Sequence, residues 1–187
     1  MNAIAIRAEG LFEMTLKATV IYDYFDFATR AAALLERVAL RVHEAMKWDV
    51  KPWRLDVLKQ SSLAEAAGVE ATDADLLVFA LSKARSLPPE LTLWLEHWEA
   101  HRRIQDTAVM VLSPGESAAA TPLRQELKQF AGRHGLAFLN SHDVRDNGDS
   151  MQFVHRLWQR RQPAAALGSF ADLPHPPRPP RHWSINE

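Results

Sequence analysis

Cysteine is absent from all 187 residues, which excludes disulfides, thiolate catalysis, zinc ribbons and iron–sulfur ligation. Glycine is scarce, with 7 in the chain, and leaves little backbone for a cradle around a phosphate. Neither G-x-G-x-x-G nor a Walker loop occurs. No G-x-S-x-G elbow supports a hydrolase built from Ser113 or Ser141 with His142 and Asp143. Excess charge of one sign is missing too: 22 basic residues face 23 acidic ones for a net charge of −1, so there is no electrostatic footprint for nucleic acid or an anionic membrane surface. No apolar run approaches the roughly 20 residues needed to cross a bilayer. The patch Ala3 to Ile6, cut short by Arg7 and Glu9, is too brief for a signal peptide. The expectation is a soluble, cytoplasmic protein with no nucleic-acid or membrane partner.

What the chain does contain is the composition of a globular domain, 47% apolar and 24% charged, at a length that can bury a core unaided. Leu16 to Tyr22 is a β-branched apolar run, as a strand covered on both faces requires. Phe27, Ala31, Leu34, Leu35, Val38, Val42 and Met46 then recur at helical spacing, with Asp26 placed to cap the helix they define. Trp48 to Leu58 alternates around Pro52 and reads as an edge strand. Ser62-x-x-Glu65 reads as a capping box opening a short helix that closes at Gly68. Leu76 to Leu81 is the most apolar strand, and Pro88-Pro89 opens a helix whose inner face is Leu91, Trp94, Leu95 and Trp98. Thr107 to Leu112 and Leu136 to Leu139 supply two more strands; helices from Pro122 to Gly135 and from Met151 to Gln162 follow them.

Strands alternating with helices predict an α/β fold: a three-layer, doubly wound, mostly parallel five-stranded sheet in the flavodoxin-like order 2-1-3-4-5. Residues 1–13 read as an optional N-terminal extension, with Met14 an alternative start, 14–162 as the α/β domain, and 163–187 as an extended tail. Pro174, Pro176, Pro177, Pro179 and Pro180 bar that tail from helix or central strand.

In such a sheet ligands bind at the carboxyl ends of the strands. That rule selects the loops 23–26, 82–86, 113–117 and 140–147, and within them the candidate ligand-binding residues Asp23, Asp26, Ser82, Lys83, Arg85, Ser113, His142 and Arg145. No catalytic residue is assigned. His97 and His101 share a helix face at four-residue spacing, but the glutamates beside them are out of register for a zincin pair and no third ligand is evident, so no metal is expected. Core packing is the expected role of most of the 6 tryptophans, with Trp48, Trp53, Trp158 and Trp183 the candidates for a contact with another protein or a second copy.

Residues 75–98, a buried strand running through a loop into a proline-opened helix, resemble the corresponding segment of flavodoxin-like flavin reductases. That resemblance implies FMN held by a Ser/Thr/Gly-rich loop after the first strand, because several amides must point at the phosphate from a helix start. Here the loop is Asp23-Tyr24-Phe25-Asp26, with two carboxylates and no glycine, serine or threonine. The chain also resembles response-regulator receiver domains, which carry acidic residues after the first strand to hold magnesium; Asp23 and Asp26 match these. The receiver's phosphoryl-accepting aspartate is matched by Ser82 and its lysine by Asn140 or Ser141. The reading is therefore of a non-catalytic flavodoxin- or receiver-like domain that binds another protein in bacterial regulation, with no cofactor, FMN and magnesium being the exceptions to test. The alternative is a flavin- or nucleotide-dependent, reductase-like enzyme using the same rim of loops.

Overall fold

In a computed structural model the described residues are 14–82, 84–112, 122–141 and 148–161. The apolar runs become β1 (Met14–Tyr22), β3 (Leu76–Ala80), β4 (Ala108–Leu112) and β5 (Ala137–Asn140), and the alternating run becomes β2 (Met46–Arg54). They form one five-stranded sheet in the order β2-β1-β3-β4-β5, with every neighbouring pair parallel. The fold is the expected flavodoxin-like one. The extension 1–13 and the tail 163–187 lie outside the described residues.

Parallel neighbours require crossovers, and among the described residues five helices supply or follow them: α1 (Phe25–Val42), α2 (Ser61–Ala71), α3 (Pro89–His101), α4 (Pro122–Arg133) and α5 (Asp149–Arg161). Side chains alternate across each strand, so the sheet feeds two cores. On one face Leu16, Ala18, Val20, Leu76, Val78 and Met110 pack with Leu34, Leu35 and Val38 of α1 and Val154 and Leu157 of α5. On the other, Ile21, Leu77, Phe79, Val109 and Val111 meet Leu91, Trp94, Leu95 and Trp98 of α3 and Leu123, Leu127 and Phe130 of α4. Both indole nitrogens on α3 are satisfied: Trp94 Nε1 donates to the Ala64 carbonyl at 3.0 Å and Trp98 Nε1 to that of Ala71 at 2.8 Å. Trp48 packs against the first core, Trp53 donates to Glu70 at 2.8 Å, and Trp158 stacks on His43 with ring centroids 4.5 Å apart.

Three local expectations are corrected. β2 stops at Arg54 because β1, its only neighbour among the described residues, ends at Tyr22, the residue registered opposite. With no ladder to continue, Leu55–Lys59 coils into a 3₁₀ turn that buries Leu58. Ser62 does not cap α2: the turn runs directly into the helix, Gln60 is the cap residue, and its carbonyl accepts from Leu63 and Ala64 at 3.0 and 2.8 Å. Gly68 does not close that helix, which continues to Ala71; it lies buried under α3, where an added Cβ would stand 3.7 Å from Trp94 Nε1. The glycine that does end a helix is Gly135, whose φ of 65° turns the chain from α4 into β5.

The base of the sheet, at the amino ends of the strands, is tied by a carboxylate whose sequence context had suggested only a strand start. Asp75 is 1% exposed. Its Oδ2 accepts the Lys17 amide of β1 at 2.8 Å, and its Oδ1 accepts Arg161 Nη2 at the end of α5 at 2.6 Å. Arg160 in the same turn pairs with Asp106. Beside them the Thr107 hydroxyl bridges the carbonyls of Ala74 and Ile104, each at 2.9 Å. No helix among the described residues is long and apolar enough to cross a membrane.

Candidate functional site

Strand order reverses between β1 and β3, since β1 turns back to β2 on one side while β3 leads to β4 on the other. The helices that follow these two strands pack on opposite faces of the sheet, α1 on one and α3 on the other, and the carboxyl ends of strands at such a reversal are where an open parallel sheet takes its ligands. Two of the expected residues meet there. Asp23 follows β1 directly, and its Oδ2 accepts both the amide of Ser82 at 2.7 Å and the Ser82 hydroxyl at 3.0 Å. The Asp23 amide donates to the Ala80 carbonyl at 3.4 Å, carrying the β1–β3 contact one residue past the strands. A carboxylate that accepts two donors across the reversal point holds the loops together; charge-assisted bonds of this type are about twice as strong as neutral ones.

Asp26 is not brought into this junction, and the expectation that it caps α1 is corrected. The helix starts at Phe25, with Tyr24 in an extended conformation as its cap residue and no side-chain cap bond. The connection from strand to helix is so short that Asp26 falls in the first helical turn, exposed, where a negative charge suits the helix dipole. Arg85 is exposed, and its backbone carbonyl, not its guanidinium, has the defined role of accepting the Leu123 amide at 2.9 Å. A second tie holds the same loop to α4, from the Leu87 amide to Glu126 Oε2 at 2.7 Å. Lys83, Ser113, His142 and Arg145 lie outside the described residues. The end of β3 carries Ser82, bound to Asp23, where an aspartyl phosphate would require a carboxylate.

Two residues that the sequence reading passed over stand beside the junction. Tyr24 is 44% exposed and Phe25 75%. The signal was present in the sequence, because adjacent aromatic residues in a connection between a buried strand and an amphipathic helix have no core to enter. Exposed aromatic faces offer stacking surfaces for a flat ring.

The imidazoles of His97 and His101 lie 4.3 Å apart on the outside of α3, with His101 Nδ1 2.7 Å from the His97 carbonyl oxygen. Among the described residues no three histidine or carboxylate side chains gather as a metal site. The charged pair with a defined titration shift stands at the carboxyl end of β2, where Arg54 is registered opposite Tyr22: Arg54 donates through Nε and Nη2 to Asp56, each bond 2.5 Å, and this holds the Asp56 carboxyl below the usual carboxylate range and raises Arg54.

A flavin phosphate is poorly matched by the β1–α1 connection. The Ser82 amide and hydroxyl at the reversal point are already taken by a carboxylate, a second carboxylate occupies the first turn of α1, and that helix start has no side-chain cap bond. The phosphate does not fit there.

No family model and no curated protein matches the chain. Among solved structures, an azoreductase from Bacillus anthracis strain Sterne is 9% identical over 78% of this chain and 96% of its own, with a TM-score of 0.41. The azoreductase AzrA is 10% identical over the same shares, 78% and 96%, also at 0.41. RosB is 10% identical over 92% of this chain and 94% of its own, at 0.47; its structure holds the bound intermediate 8-demethyl-8-formylriboflavin-5'-phosphate. These neighbours run against the expectation of no cofactor, since one of them, RosB, holds a flavin derivative. The chain has a flavodoxin-like α/β fold, with β1 and β3 flanking the reversal point of a parallel five-stranded sheet.

Proposed function

We propose that this protein is a cytoplasmic, flavin-dependent, reductase-like enzyme acting on small molecules, with its site at the carboxyl ends of β1 and β3. The observation that carries the reading is the Asp23–Ser82 junction at the strand reversal, flanked by the exposed rings of Tyr24 and Phe25. A fixed polar junction beside exposed aromatic faces, at the strand reversal of a parallel sheet, suits a planar heteroaromatic ligand. The flavin in RosB names the ligand class to test.

The test is titration of the full-length protein with riboflavin, FMN and nicotinamide nucleotides, read by flavin fluorescence and thermal shift. Flavin binding in the micromolar range is expected, and Phe25→Ala should weaken it about tenfold or more, since stacking of a base on an aromatic side chain is worth about 1–3 kcal/mol. The same substitution should leave Tm unchanged because the ring is exposed. Absence of quenching and of any shift with the whole ligand panel refutes the proposal.

A second reading, a non-catalytic domain that binds another protein, draws support from a groove of about 490 Å³ between the 3₁₀ turn, α2 and α3, where Leu93 stands exposed beside Trp94. Copurification of a partner, lost in Leu93→Asp, together with indifference to the ligand panel, would favour it.

A further inference from the structure

The loop that fails to fit a phosphate is built to exclude one. We propose that Asp23, reinforced by Asp26, selects against a phosphorylated ligand, so that the rim takes a flavin ring system lacking the terminal phosphate in preference to the mononucleotide. The inference rests on the flavin reading above and refines it.

Binding of a phosphate at a helix start needs free N–H groups converging on one point and a positive local field. At this rim the convergence exists and is filled from within. The amide and hydroxyl of Ser82 point at Asp23 Oδ2, at 2.7 and 3.0 Å, so an anionic oxygen belonging to the chain already occupies the position where those donors meet. Displacing it would strip Asp23 of two hydrogen bonds and leave its charge beside the incoming anion. The first turn of α1 adds Asp26 and has no side-chain cap bond, so the field that a helix start offers an anion is opposed by carboxylates on both sides of Tyr24. The ring of a flavin carries no such charge and meets the exposed Tyr24 and Phe25 instead. Recognition at this end is thereby divided between attraction for the aromatic portion and repulsion of the phosphate, a discrimination that works against a competitor as much as for the preferred ligand.

Equilibrium titration of the full-length chain with riboflavin and with FMN, followed by fluorescence at low and at high salt, tests this. The expected result is a Kd for riboflavin about tenfold or more below that for FMN at low salt, with the gap narrowing as salt screens the carboxylates. Asp23→Asn keeps an oxygen to accept from Ser82 and removes the charge, and should bring the FMN affinity toward that of riboflavin. Asp26→Asn, at an exposed position, should do the same in part and keeps the test independent of the fold. FMN binding as tightly as riboflavin, or more tightly, overturns the inference while leaving the flavin reading intact. Binding of neither flavin overturns both.

Discussion

Replacing Asp75 with alanine removes an acceptor that joins three parts of the chain at the base of the sheet, and its cost can be assembled from the contacts. The Lys17 amide loses its 2.8 Å partner in a part-buried position; an orphaned donor of that kind costs about 1–3 kcal/mol. The Arg161 guanidinium loses a 2.6 Å charge-assisted bond, but its side chain is 39% exposed and recovers water, so that contact contributes toward the low end of about 1.5–3 kcal/mol. Together these predict a loss of about 3 kcal/mol. With a urea m-value of about 2 kcal/mol/M, the midpoint of unfolding should fall by about 1.5 M. The partition is separately measurable: Arg161→Ala alone should cost about 1.5 kcal/mol, the low end of that range, and the double variant should show a coupling of similar size. A midpoint for Asp75→Ala within about 0.2 M of the parent, equivalent to less than about 0.5 kcal/mol, would refute the argument that a buried carboxylate holds β1, β3 and α5 together.

Other consequences follow from single positions. Gly68→Ala should stabilise by about 0.5–1 kcal/mol, because the helix gains propensity and the new Cβ meets Trp94 Nε1 only at an ordinary 3.7 Å; chemical denaturation reads it, and a destabilised variant would mean that α3 sits closer than described. Gly135→Ala places a side chain at a φ of 65° and should destabilise by about 1–2 kcal/mol in the same assay. The Asp56 carboxyl, held low chiefly by its hydrogen bonds from Arg54, favours the folded state above the ordinary carboxylate range and loses that contribution as pH falls through its lowered value. An NMR titration of Asp56 should show the depression diminished in Arg54→Gln and in high salt, since both side chains are more than half exposed.

The sheet was legible in the sequence because its inner strands are apolar on both faces. LLVFA and AVMVL, residues 76–80 and 108–112, are fully buried strands, and no amphipathic element reads that way. The inner face of α3 was legible for the same reason, since Leu91, Trp94, Leu95 and Trp98 repeat at helical spacing and are all buried. What local pattern could not reveal was set by neighbours distant in the chain. Whether β2 continues past Arg54 depends on where β1 ends, and Gly68 is occupied as a packing position by a tryptophan 26 residues onward. At the rim, Asp23 and Ser82 were both selected, but their bond spans 59 positions and has no trace in either loop read alone. Tyr24 and Phe25 were within reach of a sequence argument: large apolar side chains between a strand end and a helix start, with no periodic partner, belong on the outside.

The proline in β2 bears on how copies of this protein meet. β2 is nine residues long and borders the sheet, a length at which an unguarded margin would invite another strand. Pro52 offers no amide hydrogen there, and Lys47, Asp49 and Lys51 bring charge to the same margin, with Lys51 and Asp49 paired at 3.4 Å. A second molecule that tried to extend the sheet on this side would meet a gap in the hydrogen-bond ladder and a row of hydrated charges. Crowding at high concentration should therefore bring molecules together by surfaces other than this margin.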